Sequence, residues 1–385
     1  MATSESFHAM MAPIITLSKT IGVEMWTSDK LFQPMSYVLM GQMLIYNICN
    51  GYTVYKYSSD PIEVMKITII CGVATQLILK YFIALVKKDT IRDIFQKIEE
   101  QIYCRYSDGS SEEKSIVEKT VRRMNLLWKF LVTLYVSTFF VFALWPFYVY
   151  YSTGQIVPLF MYEIPMTKID EPVGYALSLL LHVDIYVLGV MGVLLADFAL
   201  FFIVVHALTV IDIFILHMTE LENLLRMEET KDKADQVAEK WKHCLQDHQF
   251  VTKFLYSTEE IGSLQILVHV FSCIFTICDA MLLLALTDWY ASLCFLLVIF
   301  VDISIFFILG NVVELKTDEM YRRITDLPWN MLTVSQQKEF SYMLHRSQLP
   351  LMLTLAGFTP LNFETYMSVL KCLYQFFVMI LRYVR

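Results

Sequence analysis

Four aspartates fall inside stretches of chain that are otherwise nearly free of charge: Asp184, Asp197, Asp279 and Asp302. A carboxylate in an apolar environment is costly, so it turns toward protein or water, where it serves a ligand pocket, an ion path or an interhelical hydrogen bond. His182 and Tyr186 stand four residues apart around Asp184, which puts them on one face of a helix. Residue type alone leaves the functional and the structural reading open at each position. Catalytic arrangements are scarce. His243, Asp247 and His248 are close in sequence, but the two histidines are five apart and share no helical face, so three zinc ligands do not converge. HExxH, GxSxG and a Gly-rich phosphate loop are absent. The expectation is a protein that is not an enzyme and uses no metal or cofactor.

A second group of side chains is aromatic. In "STFFVFALWPFYVYY", Pro146 removes a backbone hydrogen bond and predicts a kink near Phe142. Phe139, Phe142, Trp145 and Tyr148 then line either an apolar small-molecule pocket or an aromatic belt at a membrane surface.

The elements that position these residues follow from composition. The chain has 385 residues, 56% hydrophobic and 18% charged, against roughly 45–50% and 25% for soluble domains. The excess is clustered into stretches long enough to cross a hydrocarbon core. An all-α membrane protein with seven transmembrane helices is expected, with spans at about 31–55, 62–86, 126–150, 173–205, 261–286, 290–313 and 357–381. Between Pro172 and His217 only Gly189 and Gly192 interrupt the apolar run, so one long helix that outruns the membrane is expected, not two crossings. Cytoplasmic pieces at 1–30, 87–125, 217–253 and 316–350 hold 22 of the 30 Lys and Arg. That asymmetry places the N-terminus in the cytoplasm and the C-terminus outside. Ile91, Ile94, Phe95, Ile98 and Ile102 share a face, which predicts an amphipathic helix over 88–105 and, with the other inner segments, a cytoplasmic helical anchor layer. The first thirty residues lack the features of a signal peptide. Eight cysteines lie mostly in apolar segments, so no disulfide framework is expected. In a membrane protein the net charge of −8 says little about nucleic acid, and no basic tract suggests such a partner.

Residues 314–385 carry an ordered set of elements: Tyr321, then Trp329 eight residues later, then "HRSQLPLMLTLAGF" and "ETYMSVLKCLYQFF". This order resembles the C-terminal signature of insect odorant receptors. A gustatory receptor is the nearest alternative, but here eight residues, not five, separate Thr365-Tyr366 from Gln375-Phe376. A G-protein-coupled receptor fits less well, since DRY and NPxxY are missing and the orientation is inverted.

The resemblance implies a single seven-helix subunit of a heterotetrameric, odorant-gated, nonselective cation channel in the plasma membrane of olfactory neuron dendrites. The family pairs a tuned subunit with a common co-receptor, and the short segment 218–250 marks this chain as the tuned one. It also implies a subunit anchor at the inner ends of spans four to seven, where Tyr321 and Trp329 lie, and a pore lined by the last helix, with Phe376, Met379 and Arg382 as candidates. The expected ligand is a small uncharged volatile, held in the outer half between spans two, three, four and six. Cys71, Thr75, Thr138, Phe142, Trp145, His182 and Tyr186 are the candidates for its pocket. Asp60, Glu63, Glu163, Asp170, Glu171 and Asp288 give the pore an acidic mouth, opposed by Arg382 and Arg385.

Overall fold

Helix starts are written into the chain. Asp60 accepts from the backbone N–H groups of Ile62 and Glu63, and Ser110 and Glu113 close a capping box on the helix that follows "YSDG". In the computed structural model, which describes residues 4–23, 32–227, 233–287, 289–349 and 351–384, these signals and the apolar runs give eleven α-helices. They are α1 Ser4–Thr20, α2 Pro34–Lys56, α3 Pro61–Thr68, α4 Cys71–Val86, α5 Lys88–Ile98, α6 Ser111–Thr153, α7 Pro172–Arg226, α8 Lys233–Leu286, α9 Ala291–Thr325, α10 Val334–Ser347 and α11 Phe363–Val384. Asp288 and Arg385 lie outside the described residues.

The axis of the bundle is α7. It runs 55 residues without a break at Gly189 or Gly192, about 80 Å at 1.5 Å per residue. Its most apolar window is 83% buried, against 22% for α6, so α7 sits inside a ring made by α4, α6, α8 and α9. The ring helices keep apolar side chains such as Phe130, Phe140, Leu144, Leu297 and Phe300 outward, as helices facing lipid do.

Among the described residues, five helical stretches are long and apolar enough to cross a membrane: Pro61–Val86, α6, α7, α8 and α9. The other two expected spans, α2 and α11, have 23 and 22 residues. Gln42, Asn47 and Asn50 dilute the first, and Glu364, Lys371 and Gln375 the second. The stretch expected as one helix over 62–86 is two, separated at Ile69–Ile70. The last helix starts at Phe363, not 357, because the preceding segment doubles back. Ala356 and Gly357 have φ of 50° and 80°, Thr354 pairs with Pro360, and Glu259 of α8 accepts from the Thr354 backbone at 2.9 Å. A β-carbon on Gly310 would lie 2.1 Å from the Leu361 carbonyl, so only glycine lets this return segment lie against α9.

At the end of the bundle opposite the α2–α3 turn, here the base, α1, α5 and α10 pack on the long helices. Ile91, Ile94, Phe95, Ile98 and Ile102 are all buried, the last on a π-turn, Glu99–Cys104, that continues α5. Pro146 lies within an unbroken α6.

Candidate functional site

Toward the α2–α3 end, α2, α4, α6, α7 and α9 enclose a cavity of about 160 Å³. Its wall is apolar: Leu39 and Met43 from α2, Leu77 from α4, Val193 from α7, Ile299 from α9. Phe142 of α6 and Phe295 of α9 close one side with ring centroids 4.1 Å apart. The roof comes from the α6–α7 connection, which folds inward. Phe160 and Tyr162 line the cavity, and Tyr162 is 1% exposed. Tyr162 meets Tyr46 edge-on at 5.3 Å. His182 clamps the roof from below: its Nδ1 accepts from the Phe160 N–H at 3.4 Å and its Nε2 donates to the Tyr162 carbonyl at 3.0 Å. Glu163 tethers the far side. Its N–H donates to Thr53 Oγ1 at 2.8 Å, and its carboxylate accepts from Lys56 at 2.5 Å and Tyr57 at 2.7 Å.

The floor is polar. Tyr135, Gln76 and Asp302 line the cavity and belong to a buried charge network behind it. Lys80 of α4 is ion-paired with Asp197 of α7. The Tyr135 hydroxyl lies 3.2 Å from both Asp197 Oδ2 and Asp302 Oδ1. His269 of α8 receives Gln76 Nε2 at 2.8 Å and Lys80 Nζ at 3.0 Å on Nδ1, which leaves its proton on Nε2. That nitrogen is 3.6 Å from Asp302 Oδ2 and from Cys273 Sγ. Five helices thus meet in one network. His269, Cys273 and Asp302 present ligand atoms within 4.8 Å of one another, but the Lys80 ammonium already supplies the positive charge there and would repel a metal ion.

The sequence candidates divide. Thr138, Phe142 and Tyr186 line the cavity, and the Tyr186 hydroxyl donates to the Tyr135 carbonyl at 3.2 Å. Cys71 stands one shell behind, 3.8 Å from the Tyr46 hydroxyl. His182 is fully buried but holds the roof instead of lining the cavity. Thr75 points outward from α4. Trp145 is half-buried beside the exposed Tyr148, 5.8 Å between centroids, and lies outside the cavity; α6 turns that pair away from the bundle. Of the four aspartates, Asp184 accepts from Gln42 at 2.8 Å and Asp279 from Thr68 at 3.4 Å, both bonds between helices.

On α11, Leu373 and Ile380 are buried, whereas Lys371, Gln375, Met379 and Arg382 form an exposed stripe. Phe376 is half-buried and turned toward α8, where it shares a groove with Ile274 and Cys278, whereas Met379 is exposed. Trp329 is 49% exposed and stacks on Phe340 of α10 at 6.4 Å. Tyr321 is half-buried on α9.

A second buried cluster sits at the base. His217 of α7 holds Asp247 of α8 at 2.6 Å on Nδ1 and Glu113 of α6 at 2.8 Å on Nε2, and Arg105 approaches Asp247 at 3.3 Å. Burial pushes the imidazole pKa down, but the bonds to Asp247 and Glu113 outweigh it and hold it above its ordinary value. Burial likewise pushes Glu113 up, and the Ser110 N–H with His217 brings it below its ordinary value. His248, by contrast, bonds Ser347 at 2.9 Å, so it diverges from Asp247.

Comparison with known proteins supplies a frame for this geometry. The family model described as "7tm Odorant receptor" matches residues 60–374. A "Putative odorant receptor 83c" of Drosophila melanogaster is 21% identical over 400 residues, spanning 99% of this chain and 99% of its own length. The structure of the insect olfactory receptor OR5 from Machilis hrabei in complex with eugenol superposes with a TM-score of 0.76 at 11% identity, over 98% of this chain and 99% of that one. The structure of the same receptor described without eugenol gives 0.73 at 12% identity, with the same coverage. These two share the fold.

Proposed function

We propose, because this chain belongs to the odorant receptor family, that it is the odorant-binding subunit of a ligand-gated, nonselective cation channel that works with a common co-receptor. The observation that carries this reading is the apolar cavity, roofed by Phe160 and Tyr162 and floored by Tyr135, Gln76 and Asp302. Such a site suits a small uncharged volatile: the wall removes apolar surface from water, and a few polar groups orient the molecule.

In this reading α2 and α11 join the five apolar stretches to make seven crossings, with the basic base of the bundle in the cytoplasm and the roofed end outside. The subunit sits in the plasma membrane of the sensory neuron, and α10 with Tyr321 and Trp329 contributes to the subunit anchor. The exposed stripe of α11, with Met379 and Arg382, faces the pore, where an apolar ring gates by dewetting. Phe376, turned toward α8, buttresses that helix. A ligand changes the pore only if it binds the open arrangement better than the closed one. Tyr135 and Asp302 are wall residues of the cavity and members of the interhelical network, so an occupied cavity acts on the packing of α4, α6, α7, α8 and α9 together.

The test is expression in a cell without other chemoreceptors, with and without the co-receptor, recording currents against a panel of volatiles. Volatile-evoked currents that require the co-receptor are expected. Currents of equal size without it would favour a gustatory-type, self-sufficient channel, and no current with any partner would overturn the proposal.

A further inference from the structure

We propose that the cavity selects small, largely apolar molecules bearing one hydroxyl donor, an alcohol or phenol, received at the floor by Asp302 and Gln76. This rests on the reading of the cavity as the odorant site. Both side chains line it and are almost wholly buried, at 4% and 3% exposure. Their orientation is set from behind. Gln76 Nε2 is engaged by His269 at 2.8 Å, which turns the amide oxygen away from the histidine. Asp302 takes the Tyr135 hydroxyl on Oδ1 at 3.2 Å, whereas its Oδ2 is 3.6 Å from His269 Nε2, too far for a hydrogen bond.

The α2 wall is in the same condition. Asp184 Oδ2 lies 2.8 Å from Gln42 Nε2, and a carboxylate there requires the NH₂ end of the amide. Gln42 Oε1 is then left buried with no donor among the described residues. The Tyr46, Thr138 and Tyr186 hydroxyls already have partners within the protein. The cavity wall is therefore rich in acceptors and short of donors. The buried, unpartnered Tyr162 hydroxyl on the roof is the exception; it suits a ligand oxygen that also accepts. An alcohol does both, an ether or ketone only accepts, and a hydrocarbon does neither. A buried acceptor left unpaired penalises the molecules that lack a donor.

The test is a concentration–response series on the receptor co-expressed with its co-receptor. It uses one terpenoid alcohol, its methyl ether, the matching ketone and the parent hydrocarbon. The alcohol should act at a half-maximal concentration about 10- to 100-fold below the ether, the size expected when a buried acceptor is left unpaired. Gln76→Met should narrow that gap. Asp302→Asn, which places an N–H donor at the same point, should move preference toward the ketone. If Asp302→Asn fails to reach the cell surface, the wild-type series and Gln76→Met decide. Alcohol and ether of equal potency would overturn the proposal, and so would a ketone preferred by the wild type, which would mean that the floor donates. If none of the four gates a current, the broader panel of volatiles decides the channel reading. Thermal-shift binding of alcohol against ether to the purified protein then decides the preference by itself.

Discussion

At the base, His217 has a carboxylate on each ring nitrogen, Glu113 from α6 and Asp247 from α8, and Arg105 completes the second. Under the cavity, His269 is bonded on Nδ1 by Lys80 and Gln76, and its Nε2 meets Cys273 Sγ at 3.6 Å but stays 3.6 Å from Asp302 Oδ2. The two clusters use the same kinds of residue to join the same long helices. One is saturated; the other meets the cavity with Asp302 Oδ2 beyond hydrogen-bond reach of His269. A complete network of buried charges rigidifies what it joins, whereas an incomplete one keeps a need that a ligand can meet. The difference separates a clamp from a site.

The largest effect should come from breaking the floor. Lys80→Met leaves Asp197 buried without its cation, a loss of about 3–5 kcal/mol. A sharp fall in thermal stability in detergent and in surface expression is expected, with recovery when Asp197→Leu is added. No recovery in the double variant would mean that Lys80 matters for some reason other than Asp197.

The clamp should show a smaller effect and a distinctive pH signature. His217→Gln strands two carboxylates and should cost about 1–3 kcal/mol. The folded pKa of His217 is raised, so its contribution is complete below the ordinary value of 6.5 and is lost as pH climbs through the folded value. Glu113 has a lowered pKa, so its contribution is present above 4.5 and is lost as pH falls through its folded value. Unfolding temperatures measured against pH should therefore decline on the alkaline side in the wild type, and His217→Gln should flatten that decline. An unchanged alkaline limb in the variant would show that His217 carries no such linkage.

The roof tether should matter least to stability. Lys56 is well exposed in its pair with Glu163, and such pairs contribute about 0–1 kcal/mol. Lys56→Met should leave the unfolding temperature nearly unchanged while speeding current decay after washout, because Glu163 is held by one partner fewer. A large stability loss with unaltered decay would remove the roof from the account.

Much of the scaffold was legible. The stripe of Ile91, Ile94, Phe95, Ile98 and Ile102 announced a packed face, and the apolar run after Pro172, broken by no polar loop, announced one long helix. Asp197 and Asp302 stood out because charge is rare in those runs. Their partners did not, since Lys80, Gln76 and His269 sit on α4 and α8 and meet the aspartates only through packing that no periodicity reports. A lone lysine in "LILKYFIAL" was the available signal, a buried cation that needs an acid. The roof was hidden for a different reason: "GQIVPLFMYEIP" follows a helix and reads as a connection, although its apolar and aromatic content already says that it cannot lie in water. Trp145 and Phe142 share one aromatic run, and only the rotation of α6 decides which of them faces inward.

Ala74 and Thr75 are neighbours on α4, the first lining the cavity and the second pointing out of the bundle. Odorant concentration–response curves for Ala74→Phe and Thr75→Phe, at matched surface expression, therefore test whether this cavity is where the ligand acts. Filling it through Ala74→Phe should raise the half-maximal concentration about 10-fold or more, the scale of pocket discrimination, while Thr75→Phe leaves it nearly unchanged. Equal shifts in the two variants, or a silent Ala74→Phe, would contradict the assignment.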